Sequence, residues 1–370
     1  MESFSETAPA DAGAVSVSGR DRLAVASGAG QWAEDSPDDG RDGNMHQVRN
    51  ARTRRFAWVG VALTALALSL AMFSGCTTAT TSAPAPSTES TMTPPVTDLS
   101  IFPLTVTEDS YREVTFTVPA TRVVSLAPAN TEIVYSLGLF DRMVGVTTFD
   151  DYPAEVANVA KVGDFTTPNL EAIAAARPDL ILVTGGVQAD VLGKLQGLGA
   201  KVLVIDPKDL DGVYNGIDIV SRALGVPARG AQVVAKMRSD LTYIRAAVSA
   251  EPTVSAFIEI GWNPLYTAGP GTLLDDVLRQ AGGANVVTQK GYVGYSVEQL
   301  LKDQPSFYLG TLGSIGDTST VATRPGYSGL SAVKVGKVFS LEDNLVSRPG
   351  PRIIEGVREI AEILHPDVFR

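Results

Sequence analysis

Residues 121–153 read TRVVSLAPANTEIVYSLGLFDRMVGVTTFDDYP. The run RVVSLAP has the apolar, β-branched character of a buried strand, a helical pattern follows over residues 130–137, and MVGVTT begins a second strand. Downstream, KVGDFTTPNLEAIAAARPDLIL (161–182) supplies a helix over 169–176 and the strand DLILVTGG, a helix over 188–198 comes next, and KVLVID (201–206) is a further strand. Strands alternating with helices predict a mostly parallel sheet covered on both faces. Upstream, FPLTVTE (102–108) and REVTFTV (112–118) flank the polar turn at Asp109 and Ser110 and read as a hairpin.

The next segment, VPARGAQVVAKMRSDLTYIRAAVSAE (226–251), has Pro227 at a first turn and apolar Val234, Met237, Leu241, Ile244 and Val248 at three-and-four spacing. One long amphipathic helix is expected. Beyond it TVSAFIEI (253–260) restarts the alternation, with a helix over 273–280, the strands FYLGTL (307–312) and KVFSL (337–341), and a closing helix over 351–364. The fold class is therefore α/β: two lobes with mostly parallel sheets, residues 97–225 and 251–370, joined by one long rigid helix at 226–250, with a ligand cleft between the lobes.

The chain of 370 residues is 44% hydrophobic and 19% charged, enough for two compact lobes with buried cores. Its net charge of −11 argues against a nucleic-acid partner, which requires a basic face. The single cysteine, Cys76, excludes a disulfide within the chain and any multi-cysteine metal centre. Two histidines, His46 and His365, leave little for histidine-based catalysis or for chelating a bare zinc or manganese ion.

Residues 49–55 (RNARTRR) form a positive region and 56–73 an apolar one, the layout of a signal peptide, or of a short membrane-spanning helix. The sequence FSGC ends at Cys76 and resembles a bacterial lipobox, with Phe73 where leucine is usual. Lipidation of Cys76 would anchor the protein to the outer face of the cell membrane, with the Ser/Thr/Pro-rich residues 77–96 as a flexible tether. Residues 45–76 are thus the leader. Residues 1–44 are an acidic, disordered extension that signal peptides do not normally carry, and Met45 is the expected initiator.

Ligands of parallel α/β sheets sit outside the carboxyl ends of the strands, so the loops there are the candidate site. The first lobe offers Phe149, Tyr152 and Phe165; the second offers Trp262 and Tyr266 in GWNPLYTAG (261–269) and Tyr292 and Tyr295 in GYVGYS (291–296). Aromatic side chains collected on such loops suit a flat or bulky organic ligand, although some pack beneath their own loops. Arg324, Arg348 and Arg352 are the candidate cationic contacts. An enzyme is not expected, because these loops carry no histidine, cysteine or GxSxG elbow. Asp150 and Asp151 are sequence neighbours that ordinarily point apart, and the glycine turns at Gly185 and Gly269 are explained by turn chemistry as well as by phosphate binding.

The order of TRVVSLAPANTE, DDYP, GDFTTPNLE, the long helix, GWNPLYTAG and SRPGPRIIEGVREIAEIL (347–364) resembles the helical-backbone metal-chelate receptors, the periplasmic binding proteins for cobalamin, ferric siderophores and haem. That resemblance covers roughly residues 102–365 and implies a substrate-binding lipoprotein that delivers a metal chelate to the permease subunits of an ABC importer, acting as a monomer. It implies permease docking by one carboxylate per lobe, here Glu171 and Glu298, each in the first turn of an expected helix, where the helix dipole alone would also favour an acid. SLAPANTE and DDYP are most similar to the cobalamin branch, which implies a cobalt corrinoid held by Phe149, Tyr152, Phe165, Trp262, Tyr292 and Arg348. Phe165 stands where that branch often has tryptophan, and Arg348 is placed to serve an anion, so a ferric siderophore or haem is the alternative. No cofactor of its own is expected, and a chelatase-like enzyme is the remote alternative.

Overall fold

The computed structural model describes residues 95–369. The acidic extension, the leader with Cys76 and the tether up to residue 94 lie outside the described residues.

The first lobe opens with β1 (Leu104–Thr107) and β2 (Glu113–Phe116), an antiparallel hairpin whose inward residues Leu104, Val106, Val114 and Phe116 alternate with exposed ones. It continues through β3 (Val123–Ser125), α1 (Pro128–Ser136), β4 (Met143–Gly145), α2 (Leu170–Ala176), β5 (Leu180–Val183), α3 (Leu192–Gln196), β6 (Lys201–Val204) and α4 (Leu210–Ala223). Its sheet has the order β4-β3-β5-β6 and is parallel throughout. The hairpin covers the β6 edge: Asp109 N donates to the Val204 carbonyl at 3.2 Å and Arg112 Nη2 to the Val202 carbonyl at 2.8 Å.

Helix α5 (Pro227–Val248) leads into β7 (Val254–Trp262), β8 (Leu265–Ala268), α6 (Leu273–Gln280), β9 (Gly283–Asn285), β10 (Tyr292–Gly294), α7 (Val297–Asp303), β11 (Phe307–Thr311), α8 (Leu312–Ile315), α9 (Ser331–Lys334), β12 (Val338–Leu341), α10 (Asp343–Val346) and α11 (Ile353–Leu364). The second sheet has the order β10-β8-β7-β11-β12. Its β9, β7, β11 and β12 are parallel, but β8 and β10 pair antiparallel. The cause is the length of β7: its first half pairs with β9, and its second half turns at Asn263 and Pro264 to pair with β8. The segment read from sequence as a cleft loop, GWNPLYTAG, is therefore largely a β-hairpin, with Trp262 and Leu265 opposed at its tip.

Both sheets bury two faces, and strand alternation assigns residues to them. Leu180 and Leu182 of β5 and Phe307 and Leu309 of β11 enter one shared core, whereas Ile181 and Val183 face the outer helices of the first lobe and Tyr308 those of the second. The shared core runs from the first sheet through α4, α5, α6 and α11 to the second. Met237, Leu241, Ile244 and Val248 of α5 lie on one buried stripe within it, with Val234 at its half-buried margin.

Helix α4 escapes the sequence reading because LDGVYNGIDIVSRA carries two glycines and few strong helix formers. Both the helix and its glycine are required by packing. A Cβ on Gly216 would stand 2.8 Å from Ile205 Cγ2, and one on Gly230 of α5 would stand 2.5 Å from Ser221 Cβ of α4, so α4 approaches its neighbours at backbone range.

Candidate functional site

The carboxyl end of β4 leads into a loop organised by Asp150, whose Oδ2 accepts from Thr147 N at 2.8 Å and Thr147 Oγ1 at 2.5 Å. Burial raises the Asp150 carboxyl above the ordinary carboxylate range, partly offset by those hydrogen bonds. Its neighbour Asp151 points the other way, toward the second lobe. Phe149 (39% exposed) and Tyr152 flank the pair. Phe165 is half-buried, and its carbonyl accepts from Gln188 Nε2 at 2.8 Å. Gln188, fully buried, also donates to the Leu126 carbonyl at 2.6 Å and accepts from Thr184 N at 2.9 Å, tying three strand-end loops together.

Opposite this loop, the segment between α10 and α11 presents Arg348 and Arg352. Arg348 grips Asp151 through Nη1 to Oδ1 at 2.6 Å and Nη2 to Oδ2 at 3.2 Å, and Asn344 Nδ2 adds a bond to Asp151 Oδ2 at 3.1 Å. Arg352 grips Glu132 of α1 through Nε to Oε2 at 2.9 Å and Nη2 to Oε1 at 2.7 Å, and Arg348 Nη1 reaches the same carboxylate at 3.2 Å. The Tyr152 ring covers the Arg352 guanidinium at 4.1 Å and packs edge-on to Tyr135 at 5.6 Å between centroids. Two carboxylates of the first lobe thus neutralise two guanidiniums of the second. Burial alone would raise the Asp151 carboxyl, but its hydrogen bonds and proximity to Arg348 hold it below the ordinary range. Hydrogen bonding to Glu132 raises Arg352 further.

A further ion pair lies within the second lobe, beneath Trp262. Glu259 is fully buried on β7 and accepts from Arg324 Nη1 at 2.5 Å, from Ser314 Oγ at 2.6 Å and from the Tyr308 hydroxyl. The Arg324 guanidinium stacks against Trp262 at 4.9 Å and Tyr327 at 5.5 Å. Trp262 (47% exposed) forms one wall of a cavity of about 390 Å³ floored by Arg324, Ser314, Thr320 and Thr323 at the carboxyl end of β11. Tyr292 sits on edge strand β10, not on a loop as the sequence reading had it, because antiparallel pairing with β8 draws the GYVGYS segment into the sheet. Its phenol is raised by desolvation first and by the Asp206 carboxylate of the first lobe second, while the residue keeps 46% of its surface exposed. Tyr266 is half-buried on β8, and Tyr295 packs against Phe257 at 5.4 Å, part of the second lobe's own core.

Glu171 and Glu298 occupy equivalent places in the two lobes. Each is exposed in the first turn of a short helix, after the caps Asn169 and Ser296, whose side chains accept from Ala172 N and Gln299 N. Each helix ends on a left-handed residue, Arg177 or Gln304, followed by a proline and a parallel strand. Glu132, Glu259 and Gln188 were not singled out from sequence. The available signal was a charged or amide side chain inside an apolar run, as in TVSAFIEI, which buried position alone makes costly unless it is paired. Among the described residues no group of three or more His, Cys, Asp or Glu is arranged to hold a metal ion.

Glu259→Gln leaves the Arg324 charge buried without its counter-ion, so unfolding free energy is predicted to fall by about 3 kcal/mol, measured by denaturant titration. An unchanged midpoint would mean that the pair is solvated and does not support Trp262.

A family model described as periplasmic binding protein matches residues 123–345. The chain is 37% identical to an uncharacterised ABC transporter substrate-binding lipoprotein of Bacillus subtilis, over 73% of this chain and 88% of that one. It is 30% identical to the vitamin B12-binding protein of Vibrio parahaemolyticus, over 66% and 89%. The crystal structure of the periplasmic vitamin B12-binding protein of Vibrio cholerae superposes with a TM-score of 0.60 at 28% identity, covering 68% of this chain and 99% of that one. With the fold and the breadth of the match in accord, this chain belongs to the periplasmic binding protein family, whose members are ligand receptors and not enzymes.

Proposed function

We propose that this protein is the extracytoplasmic substrate-binding component of an ABC importer, that it is tethered to the membrane by lipid on Cys76, and that its ligand is a corrinoid. One observation carries the choice of ligand: of the exposed aromatic rings Phe149, Tyr152, Trp262 and Tyr292, Tyr152 and Trp262 rest on arginines that already have carboxylate partners within the protein. Aromatic faces with neutralised charge suit a large chelate of low net charge, presenting a broad apolar ring, better than a polyanion. The B12-binding relatives support the same ligand, and the lipoprotein name of the Bacillus subtilis relative supports the anchor. Phe165, its carbonyl held by Gln188, adds a ring to the loop that carries Phe149 and Tyr152, and Arg348 lines the site as half of an ion pair.

Delivery to the permease is assigned to Glu171 and Glu298, exposed at matching positions of the two lobes, so that one carboxylate per lobe meets the transporter. The receptor acts as a monomer in this scheme.

Titrating the purified protein with cyanocobalamin while following tryptophan fluorescence is predicted to give saturable quenching, and Trp262→Ala to weaken binding at least about tenfold, or about 1.4 kcal/mol. Tight binding of a ferric siderophore or haem with none of cyanocobalamin would overturn the corrinoid assignment. In cells, Glu171→Lys combined with Glu298→Lys is predicted to stop import while ligand affinity is retained, and Cys76→Ala to shed the protein into the medium. Normal import by the double reversal removes the docking roles, and retention at the membrane without Cys76 removes the lipid anchor.

A further inference from the structure

The ion pairs that bridge the lobes are unequal in exposure. Glu132 is 2% exposed at its side chain, whereas Asp151 is 53% exposed, and both meet Arg348, which is 15% exposed. The inner pair is therefore a fixed part of the interface, and the outer pair lies at its solvent margin. Asp151 lies in the same loop as Phe149 and Tyr152, the rings that flank the site. Its two oxygens occupy the fork of Arg348, with Nη1 at 2.6 Å and Nη2 at 3.2 Å, which is the geometry with which a guanidinium receives any carboxylate or catecholate.

We infer that Asp151 is a specificity-determining residue: it occupies Arg348 in place of an anionic ligand group, so the receptor admits chelates of low charge and rejects polyanionic ones. This rests on the corrinoid reading for the ligand admitted, but the exclusion stands on the geometry of Asp151 and Arg348. An anionic chelate entering beside Phe149 and Tyr152 must either displace Asp151 from Arg348 or sit near an unscreened carboxylate. Either route costs it the charge-assisted bonds that an open arginine would supply. Arg352 offers no substitute, because Glu132 holds its Nε and Nη2 while the Tyr152 ring covers its face. Arg324 is likewise engaged by Glu259.

The test uses Asp151→Asn in the intact protein, which preserves shape and removes the charge at a largely exposed position. The probe is a ferric tris-catecholate complex, a trianion, titrated by fluorescence quenching at low and high salt. Affinity for this probe is expected to rise about tenfold to a hundredfold in Asp151→Asn, the range of a charge-assisted bidentate contact, and the gain is expected to shrink as salt is raised. In the double variant Asp151→Asn with Arg348→Gln the gain is expected to vanish. Catecholate affinity within about threefold of wild type in a folded Asp151→Asn protein, or an equal gain in the double variant, would overturn the role of Asp151. Failure of the wild-type protein to bind a corrinoid would instead overturn the ligand assignment, and is read in a separate titration.

Discussion

The structure depends on one apolar stripe. Met237, Leu241, Ile244 and Val248 of α5 pack into a core that is continuous with the inner faces of both sheets. Because the inner faces of both sheets share this core with the helix, the lobes are not independent bodies on a flexible linker. Separating them would expose side chains that are almost fully buried, at about 25 cal/mol per Å² of apolar surface. Contacts such as Leu210 N to Asp276 Oδ2 at 3.0 Å, from the start of α4 to α6, reinforce the same junction. A receptor built this way recognises its ligand with a largely preformed surface, which lowers the conformational cost of binding.

Within that frame, buried acids organise the site. Glu259 orients Arg324 beneath Trp262, Glu132 holds Arg352 under Tyr152, and Asp150 turns its loop so that Asp151 faces Arg348. Glu259 and Glu132 each do for an aromatic ring what packing alone would not: they fix the cation against which the ring rests. The aromatic surface offered to the ligand is thus supported from behind by ion pairs whose net charge is zero. On the corrinoid reading proposed above, this is why several arginines do not select an anionic ligand.

Much of the fold was legible because it is written in short-range patterns. The strand runs RVVSLAP, DLILVTGG and KVLVID, the proline-started long helix and the helix over 273–280 all carry clear period or capping signals. The α4 helix was not, since its glycines serve contacts with Ile205 and Pro207 that exist only after folding. The β7–β8 hairpin was missed for a related reason: Asn263 and Pro264 signal a turn, but nothing local says that both flanks pair. At the site, the exposed rings Phe149 and Tyr152 follow β4 as the loop reading expects, whereas Trp262 and Tyr292 lie within paired strands. The partners of Arg348 and Arg352 could not be read from the sequence, because Glu132 and Asp151 are more than 190 positions away in the chain, joined only by the meeting of the two lobes. The matching of Glu171 with Glu298, by contrast, is visible in sequence as a capped turn, an acid, a buried aliphatic and a closing proline repeated in both lobes.

The central claim, that a corrinoid is held between two lobes fixed by a rigid spine, is tested most directly by hydrogen exchange of the protein with and without saturating cyanocobalamin. The account predicts slowed exchange in residues 147–165 and at the tip of the β7–β8 hairpin around Trp262, with α5 equally protected in both states. Protection confined to residues outside these two segments, or a change spread along α5 itself, would contradict it.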